Sequence, residues 1–196
     1  MIGGVVLAAG LSRRMGHPKL LLDLDGRPVL YHAVSALVEA GLEDVVVVVP
    51  TEHGALADAV SGLPVRLAVN PEPEAGQAGS VVTGIAALSP AADAALIALG
   101  DQPRVPRAVL VGLLECYRAT GKAIVAPRYR DGRGNPVLFA ASVFPELARL
   151  TGDQGARWVI DADPGRVVFV PFDMPMPQDL DTPDDYESLR ARRPPV

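Results

Sequence analysis

The chain's 196 residues fit one domain, the usual size being about 100–200 residues, and a composition of 49% hydrophobic and 21% charged residues matches an ordinary globular protein and argues against a disordered one. The net charge of -5, with a pI of ≈ 5.2, argues against general nucleic-acid binding, which needs a basic face, but not against a local basic pocket for phosphates. The single cysteine, Cys116, excludes an internal disulfide and suits a reducing cytoplasm.

In chain order, the N-terminus MIGGVVLAAG has neither the basic start nor the long apolar stretch of a signal peptide. No run reaches the ~20 apolar residues of a membrane span, so a cytoplasmic protein without membrane contacts is expected. Residues 2–8 read as the first strand. Asp23 and Asp25, beside Gly26, read as a tight turn. Across 28–41 the apolar Leu30, Val34, Leu37 and Val38 share one helical face, and Gly41 closes the segment as a C-terminal cap. The five successive valines at 45–49 do not alternate with polar residues, which predicts a strand covered on both faces, as in a parallel sheet between helices. A strand is expected at 65–69, a helix over 80–88, a strand at 94–99 and a helix over 106–119 with Pro106 in its first turn. Strands follow at 123–126 and 167–170, and Arg130-Asp131-Gly132 before a β-like run predicts a hairpin. Near the end, Thr182-Pro183-Asp184-Asp185 has the order of an N-cap, a first-turn proline and two acids favoured by the helix dipole. The tail 190–196 is expected to fray.

Strand and helix alternate along most of the chain. That specifies an α/β fold of three layers with a mostly parallel sheet, read here as one domain over 1–196. Ligands in such folds bind beyond the carboxyl ends of the strands, so the residues just after the strands are the ones to inspect.

The segment LAAGLSRRMGHPK at 7–19 follows the first strand directly. Its small residues Ala8, Ala9 and Gly10 let a ligand approach the backbone, and exposed amides in such a turn can cradle phosphate oxygens. Arg13, Arg14 and Lys19 put three cations within seven residues of an acidic protein; arginine offers a fork to phosphate and lysine a compact charge. The bland reading is a solvated basic turn. A P-loop is absent, because five residues rather than four separate Gly10 from Gly16 and His17 follows; no Gly-x-Gly-x-x-Gly fingerprint follows the strand either. Asp101, directly after the strand at 94–99, suits magnesium, which takes one or two protein carboxylates plus phosphate oxygens; a turn or helix-cap aspartate is the competing reading.

LAAGLSRRMGHPK resembles the L-A-A-G-x-S-x-R-M-G-x-x-K signature of the MobA-like NTP transferases, and is particularly similar to the molybdenum cofactor cytidylyltransferases among them. GQAGSV at 76–81, GDQP at 100–103, RGNPVLF at 133–139, TGDQGAR at 151–157 and DLDTPDD at 179–185 follow in that family's order. The resemblance implies a three-layer α/β/α, Rossmann-like nucleotide-diphospho-sugar transferase fold. It implies transfer of CMP from CTP to the terminal phosphate of molybdopterin, with release of pyrophosphate and magnesium as cofactor. The nucleotide would be held by Leu7, Ala8, Ala9, Gly10, Ser12, Arg14, Lys19, Gln77, Gly79, Ser80 and Asp101, with Ser80 capping the helix it begins. Arg14, Lys19 and Asp101 would be catalytic. Asp101 and Asp181 would hold the metal, with Asp179 the competitor for the second place. Gln102, Pro103, Arg133, Gly134 and Asn135 would face the acceptor, Gly134 as a flexible point. Alanine at Ala9 goes with cytidine in this family, where guanylyl-transferring relatives have glycine; one carbon changes how near the backbone can come.

No general base is obvious, since His17, His32 and His53 share no spacing. A phosphate acceptor needs none, its second pKa lying near ~6. Cys116 and Trp158 read as packing residues. Two further readings stay open: a nicotinamide-dependent oxidoreductase of the nicotine blue type on the same fold, and a nucleotidyltransferase with another phosphorylated acceptor. A carrier that only delivers molybdopterin to a molybdoenzyme partner is a third. A monomer is expected.

Overall fold

The structure, a computed structural model, describes residues 1–10 and 15–191. Its elements run β1 (Ile2–Leu7), a 3-10 turn at Lys19–Leu21, β2 (Asp23–Leu24), β3 (Arg27–Pro28), α1 (Val29–Glu39), β4 (Asp44–Pro50), α2 (Gly54–Ala59) and β5 (Val65–Asn70). They continue α3 (Gln77–Ala87), β6 (Ala94–Leu99), α4 (Arg107–Thr120), β7 (Ile124–Tyr129), β8 (Gly132–Arg133), β9 (Val137–Ala140), α5 (Phe144–Leu147), α6 (Arg157–Ala162), β10 (Val167–Pro171) and α7 (Pro183–Ala191).

The main sheet has the order β10-β7-β9-β6-β1-β4-β5, with β8 paired to β7. β1 lies parallel between β4 and β6, Val5 facing Val46 on one side and Ile97 on the other. β5 continues parallel beyond β4, and β10 pairs parallel with β7. β9 is inserted antiparallel between β6 and β7. The expected hairpin forms through Arg130 and Asp131, joining β7 to β8 with Tyr129 opposite Gly132. What sequence order did not reveal is that the run after it turns back as a strand of its own and separates β6 from β7.

The valines of β4 explain the layering. Val45, Val47 and Val49 enter one apolar cluster with Leu30, Val34 and Leu37 of α1 and Leu110, Leu113 and Leu114 of α4. Val46 and Val48 enter the opposite cluster, with Ala78 and Val81 of α3, Leu147 of α5 and Val159 and Ile160 of α6. Side chains alternate across a strand, so an unbroken apolar run is what a strand covered on both faces requires. Each of these valines is at most 1% exposed, a burial that stabilises by about 1.5–3 kcal/mol apiece. α3 approaches the sheet so closely that a methyl group at Gly84 would overlap Val5 Cγ1 and lie 3.0 Å from Val48 Cγ2.

Local signals mostly act where expected. Gly41 adopts φ +87° just beyond α1, the left-handed geometry of a helix stop. Asp25 and Gly26, both at positive φ, turn β2 into β3, and Gly26 N–H donates to Asp23 Oδ1 at 3.2 Å. Three expectations need correction. Pro106 precedes α4 as its cap, with extended ψ of 140°, and is not in the first turn. α3 starts at Gln77, because Gly76 takes φ +107° there; Ser80 is therefore inside the first turn and caps nothing. Trp158 is 56% exposed: α6 turns Val159 and Ile160 inward, so the residue before them points out. Cys116 does pack against the core, partly buried. Among the described residues no helix is long and apolar enough to cross a membrane.

Candidate active site

The carboxyl ends of β1 and β6 open into a cleft of about 460 Å³. Leu7, Ala9 and Gly10 form one edge of it, and Gln77 and Ser80 of α3 another. The end of β1 is pinned from both sides: Ala8 N–H donates to Val48 O at 2.8 Å, and Gly100 N–H to Leu7 O at 2.9 Å. Gly100 is small of necessity, since a methyl there would press on Leu7 O at 3.0 Å and Leu30 Cδ1 at 3.2 Å. Gly10 differs, for among the described residues a methyl there would meet no atom within 4 Å, and its bareness leaves that edge of the cleft open. Ala8 is buried and turned to the other side of the strand, into the first apolar cluster. Ser12 and Arg14 lie outside the described residues.

Three residues distant in sequence meet on the floor. Lys19 Nζ donates to Asp101 Oδ2 at 2.6 Å and to Asp181 Oδ1 at 2.9 Å, across separations of 82 and 162 residues. The lysine side chain is 11% exposed and the two carboxylates 22% and 38%. Burial acts to lower the lysine pKa, but the two carboxylates outweigh it and hold the group above its ordinary 10.5. The ammonium therefore persists through the physiological range; its stabilisation, complete below that ordinary value, is lost only as pH rises through the elevated one.

Hydrogen bonds bring Asp181 to this place. Leu180 N–H donates to Asp101 O at 3.0 Å, tying the segment before α7 to the end of β6. Thr182 and Asp185 form a reciprocal cap: Asp185 N–H donates to Thr182 Oγ1 at 3.2 Å, while Asp185 Oδ2 accepts from Thr182 N–H at 2.7 Å and Asp181 N–H at 3.1 Å. Gln102 and Pro103 are buried and line neither this cleft nor the next. The side chain of Gln102 donates to Asp179 Oδ1 at 2.8 Å and Pro177 O at 3.3 Å. Desolvation, then the neighbouring Asp101 and Asp181 carboxylates, raise the Asp179 pKa above its usual value against the pull of Gln102 and Lys19.

Among the described residues no cluster of three or more His, Cys, Asp or Glu is arranged to hold a metal. Two carboxylates converging on one cation nevertheless match what magnesium or manganese needs when phosphate oxygens complete the shell. The ammonium of Lys19 is a stand-in with the right sign and position, so the donor set of Asp101 and Asp181 fits a divalent ion.

A second cleft of about 370 Å³ adjoins the first and shares Leu7, Gln77, Leu99 and Asp153 with it. Arg133, Gly134 and Asn135 line it, together with Asp179, the competitor for the second metal place, and Arg157, which was not singled out individually from the sequence. Arg133 Nη1 donates to Asp161 Oδ1 on α6 at 2.6 Å. Gly134 is not the flexible point expected: a methyl there would lie 2.8 Å from Met176 Sδ and 2.9 Å from Tyr129 Cε2, so packing fixes it. Tyr129 Oη donates to Asn135 O at 2.7 Å and holds the same turn. Gly79 faces Asn70, whose side chain would lie 3.3 Å from a methyl added there; Asn70 in turn donates to Ser80 Oγ at 3.1 Å. Asp153 and Arg157 lie within the TGDQGAR segment, whose order along the chain was the only signal that could have found them.

Comparison with known proteins adds a family. The MobA-like NTP transferase domain matches residues 4–167. The purine catabolism protein PucB of Bacillus subtilis (strain 168) is 32% identical over 95% of both chains. Nicotine blue oxidoreductase of Paenarthrobacter nicotinovorans is 31% identical over 82% of this chain and 85% of its own. A probable molybdenum cofactor guanylyltransferase of Chloroflexus aggregans (strain MD-66 / DSM 9485) is 29% identical over 97% and 94%. Among solved structures, Rv0371c of Mycobacterium tuberculosis H37Rv superposes with a TM-score of 0.86 at 34% identity, covering 98% of this chain and all (100%) of that one. Its complex with manganese superposes at 0.81 and 32% identity, over 97% and 98%.

Proposed function

This chain belongs to the MobA-like NTP transferase family, and from that premise we propose that it transfers CMP from CTP to the terminal phosphate of molybdopterin. The family makes it a nucleotidyltransferase, and its sheet is that of the nucleotide-diphospho-sugar transferases. The observation that carries the proposal is the meeting of Lys19, Asp101 and Asp181 beneath the Leu7–Gly10 turn.

An oxygen of the acceptor phosphate attacks the α-phosphorus of CTP; the bond to the β-phosphate breaks, and pyrophosphate leaves. The difficulty is charge, because an anion approaches an anion, and fixed cations aimed at the phosphate oxygens lower that barrier. Lys19 would supply one such cation, released from its ion pairs with Asp101 and Asp181 once a divalent ion neutralises those carboxylates. Asp101 and Asp181 would hold magnesium, which when bound neutralises the non-reacting oxygens of the triphosphate. Arg14 is proposed to add a fork to the same phosphates. Arg133 and Asn135 face the second cleft, where the acceptor would sit within reach of the first. No histidine or other base is required, since a phosphate monoester is already ionised near neutral pH. We place the reaction in the cytoplasm, where molybdopterin and CTP would be its small-molecule partners and a molybdoenzyme the recipient.

Ala9 lines the nucleotide cleft, and the cytidine assignment rests on alanine at that position. The guanylyltransferase name of one relative supports the molybdopterin side of the reading and leaves the base to be tested. The test is pyrophosphate release with each of the four nucleoside triphosphates and magnesium, with and without molybdopterin. Release with CTP that requires molybdopterin is expected. Equal release with GTP would refute cytidine, and none with molybdopterin would refute the acceptor. The name of the 31% identical relative favours one second reading, a pyridine-nucleotide oxidoreductase. Oxidation of NADH or NADPH by the purified chain, without pyrophosphate release, would replace the proposal by that reading.

A further inference from the structure

We propose that Gln77 is a specificity residue that positions the acceptor against the nucleotide, and that Gly155 is its positioning residue, bare so that the Gln77 side chain has a seat. The inference rests on the reading of the second cleft as the acceptor's.

Two segments far apart in sequence are locked together at the seam between the clefts. Ala78 N–H donates to Gly152 O at 3.1 Å, and the backbone of Gly76 lies directly against Gly152, so that a methyl at Gly76 would overlap the Gly152 carbonyl. One residue on, the carboxamide oxygen of Gln77 occupies the space that a side chain at Gly155 would fill. Gln77 lines both clefts, with Lys19 and Asp101 on its nucleotide side and Arg133 and Asn135 on the other. It therefore stands where an acceptor phosphate must meet the α-phosphorus.

The chemistry of a carboxamide fits that place. It donates two N–H bonds and accepts at its oxygen without carrying charge. It can thus hold a phosphate oxygen in register while leaving the phosphate its nucleophilic negative charge, which a second arginine would reduce. The two glycines are not equivalent as probes. At Gly76 the collision is with backbone and φ is +107°, so a substitution disturbs the loop itself. At Gly155 the collision is with the far end of a flexible side chain, so alanine displaces Gln77 and spares the fold.

The experiment is a double-mutant cycle of Gly155→Ala and Gln77→Ala, read by pyrophosphate release from CTP and magnesium with molybdopterin varied, and by thermal melting. Gly155→Ala is expected to melt with the wild type and to raise KM for molybdopterin about tenfold, with KM for CTP changed far less. In the Gln77→Ala background the same change should have no further effect, because the side chain it displaces is gone. Additive losses, or a Gly155→Ala defect confined to CTP, overturn the inference while the functional reading stands. A wild-type protein that releases no pyrophosphate with molybdopterin overturns the acceptor reading and this inference with it.

Discussion

The floor of the first cleft and the wall of the neighbouring cleft are both charged, but they are built in different ways. On the floor, Lys19 is enclosed and shared between two carboxylates, one from the middle of the chain and one from near its end, and Asp101 and Asp181 are each held further through their backbones. On the wall, Arg133 is 44% exposed and tied to Asp161, itself 50% exposed, beside a surface turn. On the floor, Asp101 follows the central strand β6, and Lys19 and Asp181 reach it from a 3-10 turn and from the segment before α7. On the wall, Arg133 ends the short strand β8, which among the described residues pairs only with β7.

The contrast is tested most severely at the floor. Asp101→Asn keeps shape and removes charge, and it should lower kcat/KM for pyrophosphate release by about 10²–10³ with little change in folding. At the wall, Arg133→Ala should raise KM for the acceptor about tenfold and leave kcat nearly intact; a collapse of kcat would show that the wall takes part in the chemistry. Asp185→Ala removes the carboxylate that accepts from Asp181 and Thr182 N–H, and should cost about 1 kcal/mol in urea unfolding. The same change should weaken divalent binding severalfold, linking the cap to the floor. The smallest effect belongs to the outer pair of Arg166 and Glu146, joined by two bonds at 2.5 and 2.6 Å. Hydrogen bonding from Arg166, opposed by desolvation, holds the Glu146 pKa below its ordinary 4.5. Its contribution is present above that value and is lost as pH falls through the lowered one. A Tm difference between wild type and Glu146→Gln, worth roughly 0–1 kcal/mol for so exposed a pair, should be present at neutral pH and fade as pH falls below the ordinary 4.5 of a glutamate.

What could be read in the sequence follows the same boundary. Five valines in a row required a strand with two apolar faces, and helical spacing at Leu30, Val34 and Leu37 required a partner for one of them; both are local patterns. The Asp25-Gly26 turn and the Thr182–Asp185 cap are local too, and they form as read. The place of β9 is not local. Val137–Ala140 was legible as β-like, but pairing partners are chosen across the fold, and nothing nearby shows that this strand separates β6 from β7. The resemblance gave Lys19 to phosphate and Asp101 and Asp181 to metal, and so required all three to converge; what it did not reveal is that the ammonium bonds both carboxylates directly. The start of α3 was misread because the left-handed turn at Gly76 depends on Gly152, 76 residues later in the chain. Gln102 shows the limit of motif reading: its position in GDQP suggests a ligand contact, and the folded chain spends it on Asp179.

The proposed chemistry requires Asp101 and Asp181 to act together on one cation beside a triphosphate. The most direct measurement is a manganese titration followed by electron paramagnetic resonance, on protein saturated with CTP, comparing the wild type with Asp181→Asn. Loss of at least about tenfold in manganese affinity, with CTP-dependent binding retained by the wild type, is the predicted result. Equal manganese affinity in the two proteins would contradict it.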